Sequence, residues 1–216
     1  MVDSIRQHDE RLRLVLVTDG VGDPNRIVEI AREAVAGGVR CLQLRESTWT
    51  ARSMVRACES LLPVLQAVDG LLLVNDRVDV AASELAHGAQ IGHRSLPPQL
   101  ARRVLGVDGV LGYSAHDEDE LIEAHRSGCD FALLSPVWPT TSKLGASFLG
   151  IQRASQLTEA ASLPVVWLGG VHMETAHEIA QVPIDQRPVG VAVRSAIMLS
   201  ERPRAAARDL LAALPF

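Results

Sequence analysis

The 216-residue chain has the composition of a soluble globular protein, with 47% hydrophobic and 22% charged residues. This length is typical of one domain and is sufficient to bury a large core. A formal net charge of -5 argues against a broad basic surface for nucleic acid. Three cysteines at wide spacing, with no CxxC pair, indicate neither a disulfide framework nor a zinc site, as is typical of a reducing cytoplasm.

The amino-terminal segment is charged and mixed in composition. Residues 1–13 lack the apolar core of a signal peptide, and no apolar run in the chain reaches membrane-spanning length. We therefore expect a cytoplasmic protein with no membrane or nucleic-acid partner. Residues 1–12 are expected to be flexible or irregular.

From residue 14 onwards, short apolar runs alternate with longer segments of helical periodicity. In the first helix Asp23 can cap, Pro24 fits the first turn, and an apolar stripe ends before Gly37 and Gly38. The alternation predicts eight strands, at residues 14–17, 41–44, 71–74, 89–91, 110–113, 131–134, 165–168 and 190–193.

The predicted order of elements favours a parallel sheet. Continuously apolar strands need cover on both faces, which right-handed crossover helices supply. Eight such units predict one (β/α)8 TIM barrel over residues 1–216. A doubly wound open sheet is the structural alternative, but no GxGxxG motif follows the first strand.

Polar residues follow almost every predicted strand, where the loops that carry barrel chemistry converge. Gln43 and Arg45 are two apart and therefore share a strand face. Further candidates lie after the third to sixth strands: Asn75, Asp76, His93, Ser114, His116, Thr140, Ser142 and Lys143.

The last two strands end in a pattern that suits a phosphate. Gly169 and Gly170 follow the seventh strand, and Arg194 and Ser195 follow the eighth. Barrels often hold a phosphate at this place with loop amides and a helix N-terminus. A tight turn is the alternative interpretation of the two glycines.

Six ordered motifs resemble those of the thiamine phosphate synthase and TenI (thiazole tautomerase) superfamily over nearly the whole chain. They are residues 43–46 (QLRE), 75–81 (NDRVDVA), 112–116 (GYSAH), 135–140 (SPVWPT), 168–171 (LGGV) and 190–197 (GVAVRSAI). The resemblance implies a thiamine biosynthesis enzyme that takes a phosphorylated thiazole, and a homodimer.

The resemblance also implies roles for individual residues. Gly170, Val193 and Ser195 would surround the thiazole phosphate, while Thr140, Ser142 and Lys143 would lie near the pyrophosphate or the thiazole carboxylate. The pyrimidine pyrophosphate would be held by Gln43, Arg45 and Asn75. Asp76 matches one magnesium ligand, although it could instead cap a helix beginning at Arg77, and Ser114 matches a substrate-contacting serine.

Two positions depart from the synthase pattern. Ser47 stands where the synthase has lysine, and Ser95 lies in the motif that normally carries a second acidic metal ligand. Both losses weaken the charge stabilisation expected for a diphosphate leaving group. These serines, with Gln90 where the synthase pattern has histidine, resemble the tautomerase branch. We therefore favour a tautomerase, which requires no cofactor, over a synthase, which would use Mg²⁺, or a non-catalytic phosphate binder.

The acid/base group of a tautomerase cannot be carried over from the family. Its histidine aligns with Pro136, so we nominate His93 first and His116 second, with Lys143 as a further catalytic candidate. Surface or packing roles are the alternative for both histidines, and His116 could cap a helix beside Asp117. Trp138 is the one tryptophan that we predict in the pocket wall.

Overall fold

The computed structural model describes residues 9–20, 22–140 and 147–216. Eight strands alternate with helices along the chain. The strands are β1 (Leu14–Val17), β2 (Cys41–Leu44), β3 (Leu71–Asn75), β4 (Gly88–Ile91), β5 (Val110–Ala115), β6 (Phe131–Leu134), β7 (Val165–Leu168) and β8 (Gly190–Val193).

The helices follow the strands in the order expected of repeated βα units. They are α1 (Pro24–Ala36), α2 (Ala51–Gln66), α3 (Val78–Val80), α4 (Pro98–Leu105), α5 (Glu118–Arg126), α6 (Gly150–Ala160), α7 (Met173–Ile179), α8 (Ser195–Met198) and α9 (Pro203–Ala213). Helix α1 begins as predicted, because the Asp23 side chain accepts the Asn25 amide and Pro24 occupies the first turn.

All eight neighbouring strand pairs are parallel, and β1 pairs with β8, so the sheet closes into a barrel. The predicted (β/α)8 fold is confirmed, and the open-sheet alternative is excluded by that last pairing. Strands β3 and β5 run beyond their predicted ends. Asn75 and Ser114 therefore lie on strands and not in loops.

Successive side chains along each strand point alternately to the helices and to the barrel interior, which gives two apolar layers. Side chains such as Leu42 and Leu72 pack outward against the helices. Val15, Leu73 and Phe131 belong to a second cluster that fills the barrel interior. Leu12 joins this interior cluster and is fully buried, so the 3-10 turn Glu10–Leu12 is ordered within a segment that the sequence predicts to be irregular.

The three cysteines are free and buried. Burial raises the pKa of the Cys58 and Cys129 thiols to about 12 and also raises that of Cys41. Buried thiols with raised pKa values are unreactive. Within the described ranges, no helix is long and apolar enough to cross a membrane.

His87, to which the sequence assigns no role, ties β3 to the start of β4. Its ring Nδ1 accepts the Leu72 amide at 2.8 Å, so the folded protein needs the neutral imidazole. Burial, and next the Arg11 guanidinium, lowers the pKa of His87 below its usual value.

We predict that His87 makes stability depend on pH. Below about pH 6.5 the unfolded chain binds a proton at His87 that the folded chain does not, so the free energy of unfolding falls as pH decreases towards the folded-state pKa. Urea unfolding between pH 7.5 and 5.5 should show a smaller decline for His87→Gln than for the parent. The control His125→Gln, at an exposed position, should decline like the parent. Parallel declines for all three proteins would contradict this role.

Candidate active site

A cavity of about 280 Å³ opens at the carboxyl ends of the strands. Predicted site residues from β2 to β8 line it together: Gln43, Arg45, Asn75, Asp76, His93, Ser114, His116, Thr140, Gly169 and Arg194. Ser142 and Lys143 lie outside the described residues. The structure thus brings most of the predicted site to one place.

The pleat of the strands explains this convergence. Val15, Cys41 and Leu73 point into the barrel core, and residues two further along each strand point the same way. The side chains of Gln43 and Asn75 therefore also point towards the barrel axis, where they line the cavity above the apolar interior.

A connected polar row crosses from β2 to β3. The Gln43 Nε2 donates to Asn75 Oδ1 at 2.8 Å, and Asn75 Nδ2 donates to Asp76 Oδ2 at 2.7 Å. Gln43 is only 3% exposed, and its Oε1 finds no hydrogen-bond partner among the described residues. An unsatisfied acceptor at a cavity wall is costly unless a ligand or water donates to it.

The carboxylate of Asp76 is tied to the loop after β4. Its Oδ1 accepts the Ser95 hydroxyl, while the Ser95 Oγ accepts the Gly92 amide at 2.8 Å. The alternative role of Asp76 as a helix cap is wrong, because α3 begins after Arg77 with no side-chain cap. Asp76 itself has φ +61°, a conformation that aspartate tolerates better than most residues.

The two candidate histidines follow the neighbouring strands β4 and β5 and lie side by side in the cavity wall, with their rings edge-to-face. The His116 Nδ1 lies 2.9 Å from Glu120 Oε2, and its ring centroid is 6.4 Å from that of His93. Helix α5 is capped by Asp117, whose side chain accepts the Glu120 amide, and not by the His116 ring. Glu120 thus orients the imidazole, a contact that the four-residue spacing could have indicated.

The predicted phosphate residues separate into two groups. Gly169 and Arg194 line the cavity, whereas Gly170, Val193 and Ser195 are absent from the lining found among the described residues. The Val193 side chain, only 2% exposed, packs in the layer between barrel and helices.

The two glycines are required by backbone geometry. Gly169 and Gly170 have φ of +98° and +72°. A Cβ on Gly169 would lie 2.7 Å from the Pro136 Cβ, and one on Gly170 would lie 2.6 Å from the Pro139 carbonyl oxygen. The chain after β7 therefore lies directly against the loop after β6.

Trp138 does not line the cavity, so its prediction as a pocket wall is wrong. Its Nε1 donates to Glu178 at 2.9 Å, and its ring packs edge-to-face on Trp167. Arg94 also lines the cavity beside His93, although it is not among the predicted site residues. Its position in the loop after β4, next to the predicted His93, is the signal in the sequence that could have indicated it.

A family model described as thiamine monophosphate synthase matches residues 14–197. The chain belongs to this synthase/TenI family. A thiamine-phosphate synthase of Methanobrevibacter smithii is 32% identical over 200 residues, covering 93% of this chain and 94% of that protein. One of Desulfitobacterium hafniense is 35% identical over 201 residues, covering 92% and 95%.

Solved structures agree with this assignment. Thiamine phosphate pyrophosphorylase from Pyrococcus furiosus superposes with a TM-score of 0.83 at 30% identity, over 94% of this chain and 96% of that one. A 3-hexulose-6-phosphate synthase, at 16% identity and a TM-score of 0.67, shares only the fold. The names of these relatives support the synthase alternative and give no specific support to the tautomerase that the sequence analysis favours.

The family implies a magnesium site, which the described residues do not fit. Asp76 is the only carboxylate in the described cavity lining, and each of its oxygens already accepts one hydrogen bond, from Asn75 and from Ser95. Within the described part of the chain, no three His, Cys, Asp or Glu side chains are grouped to hold a metal. The Ser95 hydroxyl directs its proton at Asp76 and is a poor ligand in that state.

We predict that Gly169→Ala weakens anion binding in the cavity. The Cβ collides with Pro136 and displaces the backbone that lines the site, so affinity for inorganic phosphate should fall at least about tenfold by calorimetry. Gly128→Ala is the matched control, because Gly128 has φ +74° but a Cβ there would contact nothing closer than 3.9 Å. Equal affinities in the two variants would refute a role for this turn in the site.

Proposed function

We propose that this protein joins a hydroxymethylpyrimidine, supplied as its diphosphate, to a thiazole phosphate, giving thiamine phosphate and free diphosphate. The proposal reverses the preference of the sequence analysis. The family membership and the names of the relatives support it. The homodimer and the cytoplasmic location remain predictions.

The observation that carries the proposal is the polar row of Gln43, Asn75 and Asp76, with Arg45 beside it in one cavity. The family resemblance implies that Gln43, Arg45 and Asn75 hold the pyrimidine diphosphate, while Asp76 matches a magnesium ligand. A proton shift on the thiazole does not involve the pyrimidine diphosphate. The intact, mutually hydrogen-bonded row therefore favours the coupling reaction over the tautomerase.

The chemistry requires a cation-lined cavity. Departure of diphosphate breaks the bond between the pyrimidine methylene carbon and a diphosphate oxygen, and the electron pair leaves with that oxygen. The thiazole nitrogen then forms the new bond to the methylene carbon. Arg45 and Arg194 line the cavity, and pre-positioned guanidinium groups stabilise charge that develops on the leaving group.

We predict coupling from the two substrates, followed as thiamine phosphate formed and diphosphate released. Asn75→Ala removes the centre of the polar row and should lower kcat/KM by roughly 100-fold, the effect of losing about two hydrogen bonds to polar or charged partners. Asn25→Ala, at an exposed position in α1, is the matched control and should retain full activity. Absence of coupling in the parent protein would refute the proposal.

One observation favours a second candidate, the thiazole tautomerase. His116 is oriented by Glu120 and lies beside His93 in the cavity wall, an arrangement that suits general acid and base catalysis. A proton shift that aromatises thiazole phosphate carboxylate needs such groups and no diphosphate site.

The tautomerase is tested by supplying thiazole phosphate carboxylate without pyrimidine. If it is the true activity, aromatisation proceeds alone, and His116→Asn slows it by about 100-fold or more. His125→Asn, on the exposed face of α5, leaves the rate unchanged. Binding of the thiazole phosphate with neither reaction would leave only the non-catalytic binder.

A further inference from the structure

Three arginines from separate strand ends line the same cavity. Arg45 follows β2, Arg94 follows β4 and Arg194 follows β8. Among the described residues none of their guanidinium groups has an ion-pair or hydrogen-bond partner, whereas Arg102 elsewhere on the barrel pairs with Asp130 at 2.6 Å. Arg45 and Arg94 are exposed and Arg194 is half-buried, so these guanidinium groups are solvated and free to bind an anion that enters the cavity.

Little negative charge in the cavity opposes these arginines. Of the described lining residues only Asp76 carries a carboxylate, and both of its oxygens accept protein hydrogen bonds. The described cavity lining therefore carries three guanidinium groups and one carboxylate, and the arginines form no ion pair with that carboxylate. The cavity suits a ligand with more than one negative charge.

The loop that carries Arg94 is held at both ends. The Ser95 amide donates to the Gly92 carbonyl at 2.8 Å, and the Gly92 amide donates back to the Ser95 hydroxyl oxygen at 2.8 Å. The same hydroxyl donates to Asp76 on the neighbouring strand end. This turn fixes the backbone on either side of Arg94 at the cavity wall.

We propose that Arg94, together with Arg45 and Arg194, binds the diphosphate group directly, and that this binding needs no divalent metal ion. The position that carries a second acidic ligand in the family is Ser95 here, and it anchors the turn instead. The adjacent Arg94 supplies positive charge in a planar fork that matches phosphate oxygens. Arg94 is thus a binding residue that the family resemblance does not supply.

The inference rests on the proposed function for its ligand, but the two can fail separately. Diphosphate binding without turnover would leave this inference standing and remove the coupling reaction. Coupling by a protein whose diphosphate binding depends on Mg²⁺ would leave the function standing and remove the inference.

The test is calorimetric titration of inorganic diphosphate into the full-length protein, once with EDTA and once with excess MgCl2. Because Mg²⁺ sequesters free diphosphate in solution, a metal-free site predicts that added Mg²⁺ leaves the affinity unchanged or weaker. Arg94→Gln should raise Kd in EDTA by about 10- to 100-fold, the usual effect of a charge-assisted hydrogen-bonded pair. Arg94→Lys, which keeps the charge, should recover part of the loss.

Arg103→Gln is the matched control, since it removes the same charge from an exposed position on α4 that is outside the described cavity lining. It should bind diphosphate like the parent, and thermal unfolding should show that Arg94→Gln is folded. Two outcomes would overturn the proposal: equal affinities for the Arg94 and Arg103 variants, or binding that Mg²⁺ strengthens at least tenfold and that Asp76→Asn returns to the EDTA value.

Discussion

Closure of the sheet by pairing β1 with β8 is the constraint on which the site depends. An open sheet would separate Arg45, which follows β2, from Arg194, which follows β8, by most of the width of the sheet. The closed barrel instead turns every strand so that alternate side chains point to one axis. Apolar side chains such as Phe131 fill the lower positions on that axis, and polar side chains such as Gln43 line the cavity above them.

The hydrogen bond between Ser95 and Asp76 connects this geometry to the electrostatics of the site. It joins the loops after β3 and β4, and it occupies the one carboxylate of the described lining. A carboxylate at position 95 would face Asp76 as a like charge and would require a bound cation between them. A serine removes that requirement, because its neutral hydroxyl donates a hydrogen bond to Asp76. A metal ion that bridged two carboxylates would otherwise take that place.

Much of this arrangement could be predicted from the sequence. Strand positions, barrel closure and the convergence of Gln43, Asn75 and His116 follow from apolar periodicity and from the rule that barrel sites lie at strand carboxyl ends. Side-chain contacts between distant segments could not be predicted in the same way. Trp138 packs on Trp167 and donates to Glu178, forty residues away, so its local motif gives no sign that it faces away from the cavity.

The role of Ser95 likewise depends on contacts between distant segments. In a comparison with the family pattern, Ser95 counts only as the loss of an acidic metal ligand. That loss argues against any reaction that releases diphosphate. In the folded protein that serine has partners on two sides, and the residue before it is a cavity-facing arginine. A guanidinium group and a divalent metal ion both place positive charge against phosphate oxygens, although only the guanidinium also fixes their direction through paired N–H donors. Loss of a metal ligand and retention of a diphosphate site are therefore compatible in one cavity, provided that the neighbouring loop is held rigid enough to present the arginine.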